Sequence, residues 1–242
     1  MSMVQVQLGR CLSTHRPLWG VHLMSVPRSL MKLYSFFRSG TSHRLRIALN
    51  LKGIAYEQAA VDLRREQHLT DAFKAINPQQ LVPVLDVDGQ LMTQSPAIIE
   101  WLEERYPEPP LLPADANERA HVRALAAIVG CDIHPVNNRR ILEALRHRFG
   151  ADEAAVNDWC GTWIGAGFDA FQALVEARGR AGPFACGQHP TLADVYLVPQ
   201  IESARRFKVD MARWPCLAAI DEACGELEAF RSAAPAAQPD AG

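Results

Sequence analysis

The pattern of apolar residues changes once along this chain, and the place where it changes limits what the chain can fold into. Up to Tyr106, short runs of strand-like alternation are interleaved with helical spacing; beyond Pro113 only the helical period is left. Between the two lies Tyr106 to Pro113, a segment with four prolines that reads as an interdomain linker. A sheet-bearing unit followed by an all-helical one is the architecture to expect.

In the first unit, Lys32 to Phe36 reads as a short strand. The loop Arg38-Ser39-Gly40-Thr41-Ser42 opens a helix with Leu45, Ile47, Ala48, Leu49 and Leu51 on a broad apolar face, ended by Gly53. Ile54 to Leu63 is a second strand candidate, and Thr70 to Ile76 a short helix before the turn Asn77-Pro78. Val82 to Val87 and Gln90 to Thr93, joined by Asp88-Gly89, form a hairpin, with Pro83 at the mouth of its strand. Ser95 is placed to cap the next helix, with Pro96 at its first position and Ile98, Ile99, Trp101 and Leu102 inward. This order is that of a thioredoxin-like α/β unit.

In the second unit, Asn117 caps a helix that turns Val122, Leu125, Ala126, Val129 and Ile133 inward. A helix from about Ala151 puts Val156, Trp159, Trp163, Phe168 or Phe171, and Leu174 on one face. Thr191 and Asp194 have the spacing of a capping box at the head of a third, and a fourth follows Pro215. The Ala/Pro-rich tail from Ala233 is expected to be loose. There is no internal repeat.

Charge excludes some functions. With 25 basic and 27 acidic residues the net charge is −2, which offers no footprint for nucleic acid or an anionic membrane. No apolar stretch approaches the ~18 residues of a membrane span. The six cysteines are scattered with no C-x-x-C pair, as expected of reduced thiols in the cytoplasm, and the eight histidines lack metal spacing. Residues 1–30 contain Arg10, Arg16 and Arg28 but no acid. They fit an organelle transit peptide, or an upstream misread with Met31 as the true start; disorder is expected in either case.

Three features rise above scaffold. Ser39, Thr41 and Ser42 set hydroxyls beside unpaired N–H groups at a helix start, where an anion such as a thiolate is stabilised; ordinary capping is the plainer reading of them alone. The stretch Cys131-Asp132-Ile133-His134-Pro135-Val136-Asn137-Asn138-Arg139-Arg140 interrupts an apolar helix with polar groups. Pro135 implies a kink, and a solvated face with a structural kink explains the stretch as well as a site does. Arg205-Arg206 ends a helix, as the helix dipole alone would favour.

These residues also carry a resemblance. Phe37-Arg38-Ser39-Gly40-Thr41-Ser42-His43-Arg44-Leu45-Arg46-Ile47-Ala48-Leu49, then Gln80 to Leu85, Leu91 to Ile99, and Thr191-Leu192-Ala193-Asp194, resemble in order the motifs of zeta-class glutathione transferases. The resemblance covers residues 31 to about 232. Most zeta proteins read Ser-Ser-Cys-Ser where this chain has Ser39-Gly40-Thr41-Ser42, so Thr41 stands in place of the family cysteine. That variant, with the Cys131 to Arg140 stretch, looks like the bacterial glutathione-dependent maleylpyruvate isomerase branch. It implies the glutathione transferase fold, with residues 31–113 a thioredoxin-like glutathione-binding domain and 114–242 an all-helical substrate-binding domain, in a homodimer. Ser39 and Thr41 would face the glutathione sulfur, with Gly40 between them in the glutathione site, and Val82, before a cis Pro83, would pair with the cysteinyl backbone. Gln94 and Ser95 would hold the γ-glutamyl end and His68 the glycyl end. Asp132 would come from the partner subunit, with His134 and Asn138 lining the pocket.

The implied reaction is cis–trans isomerisation of maleylpyruvate, a diacid whose double bond must become single before it can rotate. A thiolate that adds and leaves does this, and glutathione supplies it. Arg38, Arg140 and Arg206 are the expected clamps on substrate carboxylates, since the planar guanidinium binds both oxygens. Arg139 and Arg205 are expected to be surface charges. Maleylacetoacetate isomerisation, glutathione conjugation or dehalogenation, and a non-catalytic role in protein contacts are the rival readings.

Overall fold

The computed structural model describes residues 30–241. The expectations for the N-terminal extension lie outside the described residues, apart from Leu30. The first unit forms a four-stranded sheet from β1 (Met31–Ser35), β2 (Glu57–Ala60), β3 (Val84–Val87) and β4 (Gln90–Thr93) in the order β2-β1-β3-β4. β1 pairs parallel with β2 and antiparallel with β3, and β3 pairs antiparallel with β4. Asp88 and Gly89 both have positive φ, as a two-residue hairpin turn requires. The parallel pair needs a crossover, which α1 (Gly40–Leu51) supplies, burying Leu45, Ile47, Ala48 and Leu49 completely. The short helix α2 (Asp71–Ile76) is capped by Thr70, and α3 (Ser95–Arg105) buries Ile98, Ile99 and Leu102. Here Ser95 is the first helical residue, and the preceding position is Gln94, held at φ 68°. Val82-Pro83 is cis, as the resemblance implied.

The helical unit comprises α4 (Ala116–Ala127), α5 (Arg139–Phe149), α6 (Glu153–Ala177), α7 (Leu192–Arg206), α8 (Pro215–Gly225) and α9 (Glu228–Arg231). The cap of α4 is Asp115, not Asn117: its carboxylate accepts the N–H groups of Asn117 and Glu118 at 2.9 and 3.0 Å. The inward face expected for this region is buried, from Val122 to Ile133. On α6 the inward face is rotated from the expected one. Cys160, Ile164 and Val175 are buried beside Val156, Phe168 and Phe171, while Trp163 and Leu174 are about two-fifths exposed. The large side chains suggested the wrong stripe because a small residue, Gly167, occupies the tightest contact. A Cβ on Gly167 would collide with the Ile133 side chain.

Pro135 does not kink a continuing helix. The chain widens into a π-helical segment at Ile128–Ile133 and then leaves the helix through a turn, before Asn138 caps α5, an element the sequence reading did not resolve. The Thr191–Asp194 capping box is formed. The fully buried Asp194 carboxylate accepts Thr191 N–H at 2.7 Å, its hydroxyl at 2.9 Å and Ala185 N–H at 2.8 Å.

Two polar knots tie the units together. Buried Lys52 reaches Glu103 at 2.7 Å and the carbonyls of Tyr106 and Pro109, while Glu103 accepts the N–H groups of Leu111 and Leu112. The proline-rich segment is thereby pinned, with each charge paired inside. Buried Arg46 donates to the carbonyls of Phe37 and Ala233 at 2.9 Å. The C-terminal tail is packed rather than loose: Ala233 and Gln238 are buried, and Asp240 accepts Phe37 N–H at 2.9 Å and Gln58 Nε2 at 3.0 Å.

Candidate active site

A cleft of about 150 Å³ opens between the sheet unit and the helical unit. Thr41, Val82, Gln94 and Ser95 line it from one side, and His134, Asn138 and Arg140 from the other. Seven of the residues expected at a site thus meet at one place. Local structure explains why. Thr41 stands in the first turn of α1, Val82 ends the approach to β3, Ser95 begins α3, and the π segment turns Gly130 and His134 toward the cleft while Val129 and Ile133 stay in the core.

At the start of α1, Ser39 is the N-cap, its Oγ accepting Ser42 N–H at 3.3 Å. The Thr41 hydroxyl donates to the Val82 carbonyl at 3.0 Å, so its one proton is committed. The 3.0 Å contact between the two hydroxyls is therefore donated by Ser39. Of the pair, Ser39 has the proton that can swing to an anion in the cleft, and Thr41 holds it in place. Above them lies His134: a Cβ added to Gly40 would meet its Nδ1 at 3.8 Å. Burial, reinforced by Arg44, Arg206 and Arg140, pushes the His134 imidazole down to about 3, so it is neutral at physiological pH.

At the start of α3 the Ser95 hydroxyl is buried with no partner in the protein. Gln94 donates to Gln79 Oε1 at 2.8 Å, and both line the cleft. Asn138 lines it too, though its Oδ1 is engaged in capping α5 through Arg140 N–H.

The expected arginines divide in two. Arg206, at the end of α7, donates to Ser203 Oγ at 3.2 Å and lies over the Phe207 ring. Desolvation of its guanidinium and the neighbouring Arg38 hold it below the usual arginine value, although the residue as a whole is exposed. Arg38 is exposed over the Phe37 ring and does not line the cleft. By contrast Arg205 is paired with Asp221 at 2.6 Å, and Arg139 donates to the Leu63 carbonyl across the two units. Among the described residues, no carboxylate forms a salt bridge with Arg38, Arg140 or Arg206, which leaves a positive field over the cleft.

Ser39, Gly40, Arg38 and Arg206 do not line the cleft itself, and two further expected residues lie apart from it. His68, in the 3₁₀ turn Gln67–Leu69, does not line the cleft. Its Nδ1 is buried without a partner, and burial with nearby Arg139 lowers its pKa. Asp132 is exposed on the π segment and does not line the cleft of its own chain. Arg44, Asn77 and Gln79 line the cleft without having been anticipated. For Arg44 the signal was present, three residues after Thr41 and hence on the same helix face.

Comparison with known proteins agrees with this geometry. The family described as glutathione S-transferase, N-terminal domain, matches residues 33–110. Maleylpyruvate isomerase of a Ralstonia species is 70% identical over 210 residues, 87% of this chain and 99% of that one. The holo structure of a maleylpyruvate isomerase, a bacterial glutathione S-transferase in the zeta class, superposes with a TM-score of 0.86 at 70% identity, covering 87% of this chain and 100% of that one. Maleylacetoacetate isomerase of Anaeromyxobacter dehalogenans, with dicarboxyethyl glutathione and citrate bound in its active site, gives a TM-score of 0.80 at 44% identity, covering 89% and 96%. Fold, motifs and relatives agree: the chain belongs to the zeta class of the glutathione S-transferase family.

Proposed function

We propose that this protein is a glutathione-dependent cis–trans isomerase that converts maleylpyruvate to fumarylpyruvate. The observation that carries the reading is a set of arginines without acid partners gathered around His134, which lies against the start of α1: Arg140 lines the cleft with Thr41, and Arg206, with Arg38 beside it, adds to the field at His134. The residues fit glutathione. An unpartnered buried Ser95 hydroxyl at a helix start suits the γ-glutamyl carboxylate, with Gln94 beside it, and the Val82 backbone suits a peptide strand. A relative that holds a glutathione thioether of a dicarboxylate supports the same use of the cleft. The 70% identity to a maleylpyruvate isomerase favours that substrate over maleylacetoacetate.

When bound, glutathione supplies a thiolate that adds reversibly to the conjugated double bond, which is single while it rotates and double again once the sulfur leaves. Ser39 donates to the sulfur and keeps it ionised, with Thr41 orienting the Ser39 hydroxyl. Gly40 sits against His134, and the α1 dipole adds to the field. Arg140, Arg206 and Arg38 hold the two carboxylates and offset the negative charge that builds toward the ketone oxygen. His134, kept neutral, and Asn138 orient the ligands without adding charge. His68 takes the glycyl end. The chain works as a homodimer in which exposed Asp132 reaches the partner's cleft, with residues 31–113 as glutathione-binding domain and 114–242 as substrate-binding domain.

The test is Arg206→Ala. Loss of one charge-assisted clamp should lower kcat/KM for maleylpyruvate by about tenfold to a hundredfold, with glutathione affinity unchanged. Undiminished turnover would remove Arg206 from the site.

A further inference from the structure

Arg44 differs from every other arginine of the site. It follows Thr41 by three residues on α1, so both side chains fall on one face and both line the cleft. It is 2% exposed, yet among the described residues it makes no hydrogen bond or ion pair, and its buried Nε has no partner. The guanidinium lies 4.3 Å from the centre of the Tyr196 ring. Stacking of this kind favours a cation in a dry place but satisfies none of its five N–H donors in the plane. The groups that favour its charge are Tyr196 and Cys131, neither of them a carboxylate. Arg46, two residues on and equally buried, shows the alternative: it gives its N–H groups to the carbonyls of Phe37 and Ala233.

The surroundings are built to hold this group where it is. Gly130 also lines the cleft, and a Cβ there would come within 2.9 Å of Tyr196 Cε1, so the aromatic platform rests against bare backbone. Burial lowers Arg44 only to about 10, and it stays cationic at neutral pH. A buried charge without a partner is strongly disfavoured, and a fork of donors bordering a cleft is the usual receptor for a planar anion.

We infer that Arg44 is a carboxylate-binding residue of the cleft, receiving a carboxylate of the bound ligand through its in-plane N–H groups. The inference rests on the proposed use of the cleft, where two ligands bring that chemistry: the γ-glutamyl end of glutathione and the diacid substrate.

The experiment titrates wild type, Arg44→Met and Arg44→Lys with glutathione by calorimetry. A second titration uses a glutathione analogue whose γ-glutamyl group is replaced by 4-aminobutyryl, which removes only the α-carboxylate. KM and kcat for maleylpyruvate are measured in parallel, and maleate alone is titrated as a diacid probe. Methionine keeps the length and the packing on Tyr196; lysine keeps the charge without the fork and serves if the methionine variant fails to fold. If Arg44 holds the γ-glutamyl carboxylate, Arg44→Met weakens glutathione at least tenfold and no longer distinguishes the analogue. If it holds the diacid, glutathione binding is unchanged while KM for maleylpyruvate and the affinity for maleate worsen at least tenfold. Arg44→Lys recovers part of either loss. Binding and KM within twofold of wild type in both variants would overturn the inference, as would an effect confined to dimer dissociation, which would give the guanidinium to an acid of a second copy. Wild type that binds no glutathione would instead refute the functional reading, with the maleate titration still deciding on Arg44.

Discussion

Acidification should destabilise this protein through its buried imidazoles, and the size of the effect can be worked out in advance. His43 is almost fully buried on α1 with Nε2 unpartnered, and burial with Arg46 and Arg44 pushes it down to about 3. His134 is pushed down to about 3 by burial and by Arg44, Arg206 and Arg140. In the unfolded chain both return to about 6.5. Between those values the unfolded state binds more protons, so stability is complete above about 6.5 and declines as pH falls toward 3. Each site loses about 1.4 kcal/mol per pH unit below 6.5. At pH 5 the loss is about 2 kcal/mol per imidazole and about 4 kcal/mol for the pair, whatever the exact folded value below about 4. Urea unfolding of ligand-free protein at pH 7 and pH 5, at one ionic strength, measures this. His43→Leu, which keeps the volume and removes one titration, should lower the loss between the two pH values by about 2 kcal/mol. If wild type and His43→Leu lose the same stability between the two pH values, the imidazole is not buried neutral and the reasoning fails.

Three further outcomes follow from named contacts. Ser39→Ala should raise the pKa of bound glutathione, read by thiolate absorbance against pH, because Ser39 holds the mobile proton of the hydroxyl pair. An unmoved titration would assign the sulfur to other donors. Asp194→Ala strands the N–H groups of Ala185 and Thr191 and should reduce stability by about 3 kcal/mol in urea unfolding. A loss below about 1 kcal/mol would show that water reaches the cap. Asp240→Ala frees the Phe37 N–H beside Arg38 and Ser39, so kcat/KM should fall by about tenfold for about 1 kcal/mol of stability; unchanged turnover would show that the tail does not set that loop.

Much of this was legible in the sequence where one local rule governs. The Asp88-Gly89 hairpin, the Thr191–Asp194 box and the apolar face of α1 are decided within a few residues of each other, and each formed as read. The misplacements arose where a distant surface decides. Trp163 and Leu174 lost the inward stripe of α6 to a face on which Gly167 admits Ile133. The tail from Ala233 is held by Arg46, Phe37 and Gln58, residues far along the chain that composition alone cannot connect to it. Pro135 marked an interruption correctly, but its outcome, a π segment and a turn, depends on packing against α6. At the site, motif positions brought Thr41, Val82, Gln94, Ser95, His134, Asn138 and Arg140 together. Arg44 was passed over because a cation inside an apolar helical face reads as surface until its burial is known.

The most direct test follows maleylpyruvate with the purified protein, with and without glutathione, separating fumarylpyruvate by chromatography and running maleylacetoacetate alongside. The account predicts rapid conversion that requires glutathione and prefers maleylpyruvate. Isomerisation without glutathione, or none of either diacid in its presence, would contradict it.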